Sequence, residues 1–93
     1  MLKTITITPF NLKERAKAVN SKLATYLKEV RNGKGYTMRA LADAIGKPHS
    51  FVGKMELDER RLDVGEFIHY CKAMGKDPRE AFDEVMNLVD GDK

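Results

Sequence analysis

The chain has 93 residues, of which 42% are apolar and 33% are charged, and its formal net charge is +3 at pH 7. This length is enough for one compact domain with a modest core and too small for two, so residues 1–93 are predicted to form a single domain. No apolar run approaches the length of a membrane span, and the N-terminal MLKTITITPF lacks the continuous apolar stretch of a signal peptide. We therefore expect a cytoplasmic protein without a membrane partner.

Charge is distributed unevenly along the sequence. Residues 1–39 contain nine lysines and arginines against two glutamates, whereas residues 40–93 contain eight against twelve acidic residues. A basic region suits a polyanion such as nucleic acid or a membrane surface, and an acidic region is repelled by it. The alternative is that these charges form an ordinary solvated surface that binds no polyanion.

The N-terminal segment KTITIT, residues 3–8, alternates threonine with isoleucine and has strong β propensity. It is predicted to be a short strand that ends at Pro9. The strand is either a loose arm or pairs with a second copy of the chain, with Ile5 and Ile7 in the contact.

Apolar residues then recur at alternating spacings of four and three over residues 12–30, which indicates a helix. Asn20 and Ser21 are good N-cap residues, however. One long helix and two shorter helices, over about 11–18 and 22–32, therefore both remain open.

Two short helices joined across Gly46 follow. Thr37 is predicted to cap the first, which begins at Met38 and ends at the C′ glycine. Pro48 is predicted in the first turn of the second, residues 48–56. Two helices joined this closely form a helix-turn-helix.

Two further helices complete the prediction. Asp63 is expected to cap the fourth helix, which Gly75 ends, and Asp77 with Pro78 starts the fifth. The inward-facing residues predicted for the fourth helix are Val64, Phe67, Ile68, Cys71 and Met74. The apolar stripe of the fifth consists of Phe82, Val85, Met86 and Val89. The predicted fold is an all-α bundle of about five helices with a candidate short N-terminal β-strand.

The helix predicted over residues 48–56 has two different sides. At 100° per residue its apolar side carries Phe51, Val52 and Met55, which build the core. The opposite arc carries His49, Ser50, Gly53 and Lys54. A glycine inside a helix costs about 1 kcal/mol relative to alanine, so Gly53 either lets a partner approach the backbone closely or is simply tolerated.

Residues for catalysis or metal binding are few. His69 and Cys71 lie two apart on a predicted helix and therefore point to different sides. The lone Cys71 cannot form an internal disulfide and is predicted to be a small buried residue. The sequence contains no Ser-His-acid set, phosphate loop or dinucleotide glycine pattern, so we expect no enzyme, no cofactor and no metal.

The run over residues 27–78, and above all ALADAIGKPHSFVGKME and ERRLDVGEFI, resembles the Cro/cI-like, XRE-type helix-turn-helix regulators. The resemblance implies a lambda-repressor-like domain whose second motif helix enters the major groove of double-stranded DNA. The predicted DNA-binding core spans residues 22–78. Outside the resemblance, residues 1–20 are predicted to be an N-terminal extension, with the strand and the start of a helix, and residues 79–93 a C-terminal helix that is a candidate dimerisation element.

By position, the resemblance assigns base reading to His49, Ser50 and Lys54. Gly53 is added to this predicted set because its missing side chain would let a base edge approach the backbone. Phosphate contacts are expected from Thr37, Arg39, Lys47, Arg60 and Arg61. Arg31 and Glu56 fall where many members of the family place a buried ion pair. Three positions depart from the family, which often has glutamine where this chain has Met38 and His49, and glycine where it has Asp58.

These features predict a sequence-specific transcriptional regulator, a repressor that binds an inverted-repeat operator as a homodimer. The expected dimer contact is the stripe Phe82, Val85, Met86 and Val89, with Ile5 and Ile7 as a supplement. The alternatives are an antitoxin that also binds a toxin protein, and a module that binds only proteins.

Overall fold

The computed structural model describes residues 11–91 of the chain. The predicted strand, with Ile5 and Ile7, lies outside the described residues. The helices of the described part are α1 (Leu12–Lys34), α2 (Met38–Ile45), α3 (Ser50–Glu56), α4 (Val64–Ala73) and α5 (Pro78–Gly91). This part of the chain contains no strand, and the predicted all-α bundle of five helices is confirmed.

Helix α1 is continuous, which decides between the two alternatives that the sequence left open. Its N-cap is Asn11, whose side-chain oxygen accepts a hydrogen bond from the backbone N–H of Glu14 at 3.2 Å. Asn20 and Ser21 lie in the middle of the helix and cap nothing. The helix ends at Gly35, whose φ of 82° is the left-handed conformation that favours glycine.

The turn between α2 and α3 differs from the prediction in one respect. As expected, the Thr37 side chain accepts from the backbone N–H of Ala40 at 3.0 Å, and Gly46 ends α2 with a φ of 71°. Helix α3, however, begins at Ser50 and not at Pro48. The Pro48 carbonyl accepts from the N–H of Phe51 at 2.9 Å, an i to i+3 bond, so the chain makes a tight turn before the α-helix starts.

The core lies where the inner sides of the five helices meet. Helix α1 packs on α3 and α5, while α2 packs on α3 and α4. The largest fully buried side chains in the described part are Leu27, Leu41, Val52, Tyr70, Cys71 and Met74. The inner face of α3 is thus held from two sides, by α1 and by α2.

Val64 was predicted to face inward and is instead 77% exposed. It lies on the same stripe as Phe67 and Cys71 but is the first residue of α4, where the neighbouring helices do not cover it. One turn further on, Phe67 is half-buried, and Cys71 is fully buried. The prediction was therefore wrong for Val64 and correct for Phe67 and Cys71, whereas Ile68 is only half-buried. Tyr70, whose side chain is fully buried, was not among the predicted inward-facing residues.

The predicted apolar stripe of α5 is divided by the fold. Val85 is buried in the core of the single chain, and Val89 packs against that core. Phe82 remains 61% exposed and Met86 39% exposed. Of the four residues of the predicted stripe, Phe82 and Met86 are therefore the two that keep substantial apolar surface exposed.

Candidate nucleic-acid interface

A buried ion pair fixes the end of α3 to α1. Arg31 Nε donates to Glu56 Oε2 at 2.6 Å and Arg31 Nη2 donates to Glu56 Oε1 at 3.1 Å, while the two side chains are only 7% and 3% exposed. Arg31 Nη1 also donates to the carbonyl of Tyr36 at 2.8 Å. The hydrogen bond to Glu56 raises the pKa of Arg31, so the guanidinium stays charged. This pair holds α3 in one orientation.

The two sides of α3 are as different in the structure as in the sequence. Val52 and Met55 are buried, and Phe51 is half-buried against the core. Ser50 and Lys54 are exposed on the other side. Because the inner side is fixed, the outer side presents its polar groups from a rigid support.

His49 lies in the turn at the N-cap position of α3, and its side chain contacts a residue of α2. Its Nε2 atom is 2.9 Å from Oδ1 of Asp43 in α2. Both side chains are exposed, 51% for His49 and 66% for Asp43. Asp43 was not among the predicted site residues. The available signal was the spacing of six residues across the Gly46 turn, which brings the last turn of α2 beside the start of α3.

Gly53 faces Met38 at the start of α2. A Cβ atom added to Gly53 would lie 3.7 Å from Met38 Sδ, an ordinary van der Waals contact. The packing of the chain therefore leaves room for a side chain at this position. Met38, 41% exposed, adds an apolar group to the same surface.

Two of the predicted phosphate-binding cations lie over the ring of Phe51. Lys47 Nζ is 5.4 Å and Arg60 Cζ is 5.0 Å from the ring centroid. Arg60 also pairs with Glu66, with 2.6 Å between Nη2 and Oε2, and donates to the Arg61 carbonyl. Arg60 is thus engaged within the chain.

The other predicted phosphate contacts have different surroundings. Arg39 and Arg61 are exposed. Thr37 uses its hydroxyl to cap α2. Of the predicted phosphate-binding cations, Arg39, Lys47 and Arg61 are therefore the exposed ones.

Asp58, just past α3, stands where the resemblance led us to expect glycine, and its backbone conformation explains this departure. Its φ is 61°, and its backbone N–H donates to the carbonyl of Met55 at 3.0 Å. Aspartate is one of the few non-glycine residues that tolerate the left-handed conformation. Asp58 therefore makes the chain reversal that a glycine often makes at this point.

The family model described as Helix-turn-helix matches residues 27–80, more than half of the chain. The chain belongs to the XRE-type helix-turn-helix family. Proteins of this family bind DNA, often dimerise and are typically not enzymes, so membership indicates a DNA-binding transcriptional regulator. No curated protein matches the chain.

Two solved structures are similar to the chain. An XRE-family like protein from Pseudomonas syringae pv. tomato str. DC3000 is 38% identical, with a TM-score of 0.76 over 82% of this chain and 93% of that chain. The restriction-modification controller protein C.AhdI from Aeromonas hydrophila is 31% identical, with a TM-score of 0.64 over 70% of this chain and 98% of that chain.

Other kinds of site are not visible in residues 11–91. Within this range no three or more His, Cys, Asp or Glu side chains come together as metal ligands. Burial raises the pKa of the Cys71 thiol to about 11, so it is protonated at neutral pH. No helix of this range has the length and apolar character needed to cross a membrane.

Proposed function

We propose that the XRE-type protein is a sequence-specific repressor that binds an inverted-repeat operator as a homodimer and inserts α3 into the major groove. The observation that carries this proposal is the fixed orientation of α3. Val52, Met55 and the Arg31–Glu56 pair hold one side of the helix, and the other side presents Ser50 and Lys54 to solvent. A helix with this arrangement fits the groove without rearrangement of the core.

Each exposed group on this surface has a role that follows from its chemistry. Lys54 reaches a guanine edge, where O6 and N7 accept hydrogen bonds, and Ser50 donates to or accepts from a neighbouring base. Gly53 allows the groove wall to come close to the backbone. Arg39 and Arg61 bind phosphates and set the register without reading sequence.

Dimerisation follows from the small footprint of one recognition helix, which contacts only a few base pairs. The structure has an apolar groove bounded by α1, α4 and α5. Two adjoining cavities in it, of about 190 and 560 Å³, share Val64, Phe67 and Phe82. A second copy covers this groove and places two α3 helices about one helical turn of DNA apart, roughly 10 base pairs. A toxin or another protein on the same groove is the alternative.

Selection of bound duplexes from a random pool tests base reading. The wild type is expected to select an inverted repeat, and Lys54→Ala to lose about 1–3 kcal/mol and to relax one position in each half-site. Lys28→Ala, which removes the same charge from an exposed position of α1, should leave the selected sequence unchanged. An unchanged sequence with Lys54→Ala contradicts the placement of α3.

Salt titrations of the selected duplex separate phosphate binding from base reading. Arg39→Ala and Arg61→Ala should each weaken binding to all sequences alike and lower the salt dependence by about one counterion. A changed consensus in either variant contradicts the assignment. A chain that stays monomeric and selects no duplex contradicts the repressor model and leaves a protein partner on the groove as the better hypothesis.

A further inference from the structure

The contact between Asp43 and His49 joins two helices at the surface assigned to DNA. His49 Nε2 lies 2.9 Å from Asp43 Oδ1, and both side chains are more than half exposed. The contact is therefore not required to fill the core. Its position at the start of α3, beside Ser50, places it at the part of the helix that approaches base edges first.

The contact decides which ring nitrogen of a neutral imidazole carries the hydrogen. An ionised carboxylate can only accept hydrogen bonds, so Nε2 must donate to Asp43. A neutral imidazole has a single N–H, and in this tautomer Nδ1 carries no hydrogen and is an acceptor. Without Asp43 the exposed ring could adopt either tautomer and could present either a donor or an acceptor.

We propose that Asp43 is a positioning residue for DNA specificity, which holds the His49 ring in the Nε2–H tautomer so that Nδ1 accepts a hydrogen bond from a base. This inference rests on the proposed function. In the major groove the donors are the amino groups of adenine N6 and cytosine N4, whereas guanine presents only acceptors and thymine presents O4 and a methyl group. His49 therefore selects adenine or cytosine on the strand it faces, at one position of each half-site.

The negative charge of Asp43 acts in the same direction. A carboxylate near the groove repels the electron-rich N7 and O6 edge of guanine and favours an amino group. The hydrogen bond and the charge of Asp43 therefore favour the same two bases.

Nitrogen NMR of the free protein tests the tautomer directly. In ¹⁵N-labelled protein at about pH 8, where an ordinary imidazole is neutral, His49 is expected to show hydrogen on Nε2. Asp43→Ala should convert His49 to a mixture of tautomers, while the signals of His69 in α4 remain unchanged. Hydrogen on Nδ1 of His49 in the wild type, or no change on Asp43→Ala, overturns the proposal.

Duplex selection tests the consequence for specificity. The wild type is expected to prefer adenine or cytosine at one position per half-site by roughly 2- to 10-fold, the effect of one hydrogen bond. Asp43→Ala should abolish that preference and leave the position read by Lys54 intact. Asp90→Ala, which removes the same charge from an exposed position of α5, should keep the preference.

The variant His49→Ala distinguishes a failure of the positioning role of Asp43 from a failure of base reading by His49. If His49→Ala changes the selected base but Asp43→Ala does not, the positioning role is wrong and base reading by His49 stands. If His49→Ala changes nothing, His49 reads no base and the proposal fails, whereas base reading by Lys54 is tested separately by Lys54→Ala. Failure of the wild type to select any sequence contradicts both.

Discussion

Gly53 is the residue at which fold and function make opposite demands. Alanine is better than glycine in a helix interior by about 1 kcal/mol, and the Met38 side chain leaves room for a Cβ atom. Folding alone would therefore favour alanine. The presence of glycine in α3 fits a surface that a groove wall approaches closely.

We expect Gly53→Ala to raise the free energy of unfolding by about 1 kcal/mol and to weaken binding to the selected duplex. Urea denaturation and a DNA titration measure the two effects. Gly33→Ala is the matched control, because Gly33 lies in α1 with open space around it. The control should gain stability without loss of affinity. Equal affinity of Gly53→Ala and the wild type would show that Gly53 is only tolerated.

The effects of substituting Arg31 and Glu56 on the free energy of unfolding should be strongly non-additive. Loss of one partner leaves a buried charge unpaired, so Arg31→Met and Glu56→Met should each lower the free energy of unfolding by about 3–5 kcal/mol. The double variant should recover most of the loss, since two apolar side chains of similar volume replace the pair. Denaturant unfolding of the four proteins measures the coupling. Additive losses in the double variant would contradict it.

At the scale of elements, α4 begins with a capping box that depends on a charged carboxylate. Asp63 accepts from the N–H of Glu66 at 2.7 Å, and Glu66 accepts from the N–H of Asp63 at 2.9 Å. Arg60 donates to Glu66 as well. The backbone N–H of Asp63 and then Arg60 lower the pKa of Glu66 below its ordinary value of 4.5.

This shift predicts a loss of stability in acid. Because the folded state holds Glu66 ionised more strongly than the unfolded state, its contribution is present above pH 4.5 and falls as the pH drops below that value. Thermal unfolding followed by circular dichroism at pH values from about 3 to 7 measures the effect. Glu66→Gln should be less stable at neutral pH and should lose less on acidification. An identical pH dependence of the two proteins would contradict the assignment.

The bounds of α2 and α4 and the start of α5 could be predicted from the sequence because they depend on local signals. Thr37, Gly46 and Asp63 act on backbone groups within four residues of themselves. The continuity of α1 could not be predicted in this way. Asn20 and Ser21 suit both a cap and the exposed side of a helix, and only the packing of α1 along α3 and α5 decides between them.

The candidate site was predictable where one helix determines it and not where two helices meet. The helical periodicity of α3, which is read from the sequence alone, places Lys54 on the side opposite Val52. Arg31 and Glu56 are 25 residues apart, and only the resemblance to the family suggested the pair. The Asp43–His49 contact depends on how α2 and α3 cross, which the periodicity of neither helix contains.

At the scale of the whole molecule, the exposed apolar groove is the surface that we propose for self-association. Phe82 and Val64 are among the most exposed large apolar side chains of the described residues, and both line the groove. Val85 lies beside them but is buried in the single chain. A substitution at Val85 would therefore damage the fold, whereas one at Phe82 tests the interface.

We expect Phe82→Asp to convert a dimer into a folded monomer that binds the inverted repeat much more weakly, because each half-site is then held alone. Light scattering at micromolar concentration measures the mass, and circular dichroism confirms the fold. Leu57→Asp, at an apolar residue that is 70% exposed outside the groove, should keep the dimer mass. A wild-type monomer, or a dimer that survives Phe82→Asp, would contradict this interface.

The division of α3 into a fixed side and a free side has a consequence for engineering. Residues 50 and 54 contribute little to the core, while residues 52, 55 and 56 hold the helix in place. A combinatorial library at the exposed positions should therefore yield mostly folded proteins with different operators. Position 49 should be varied together with position 43, since the two side chains act as one unit. The same scaffold would then supply a set of regulators, each of which binds its own operator and not those of the others.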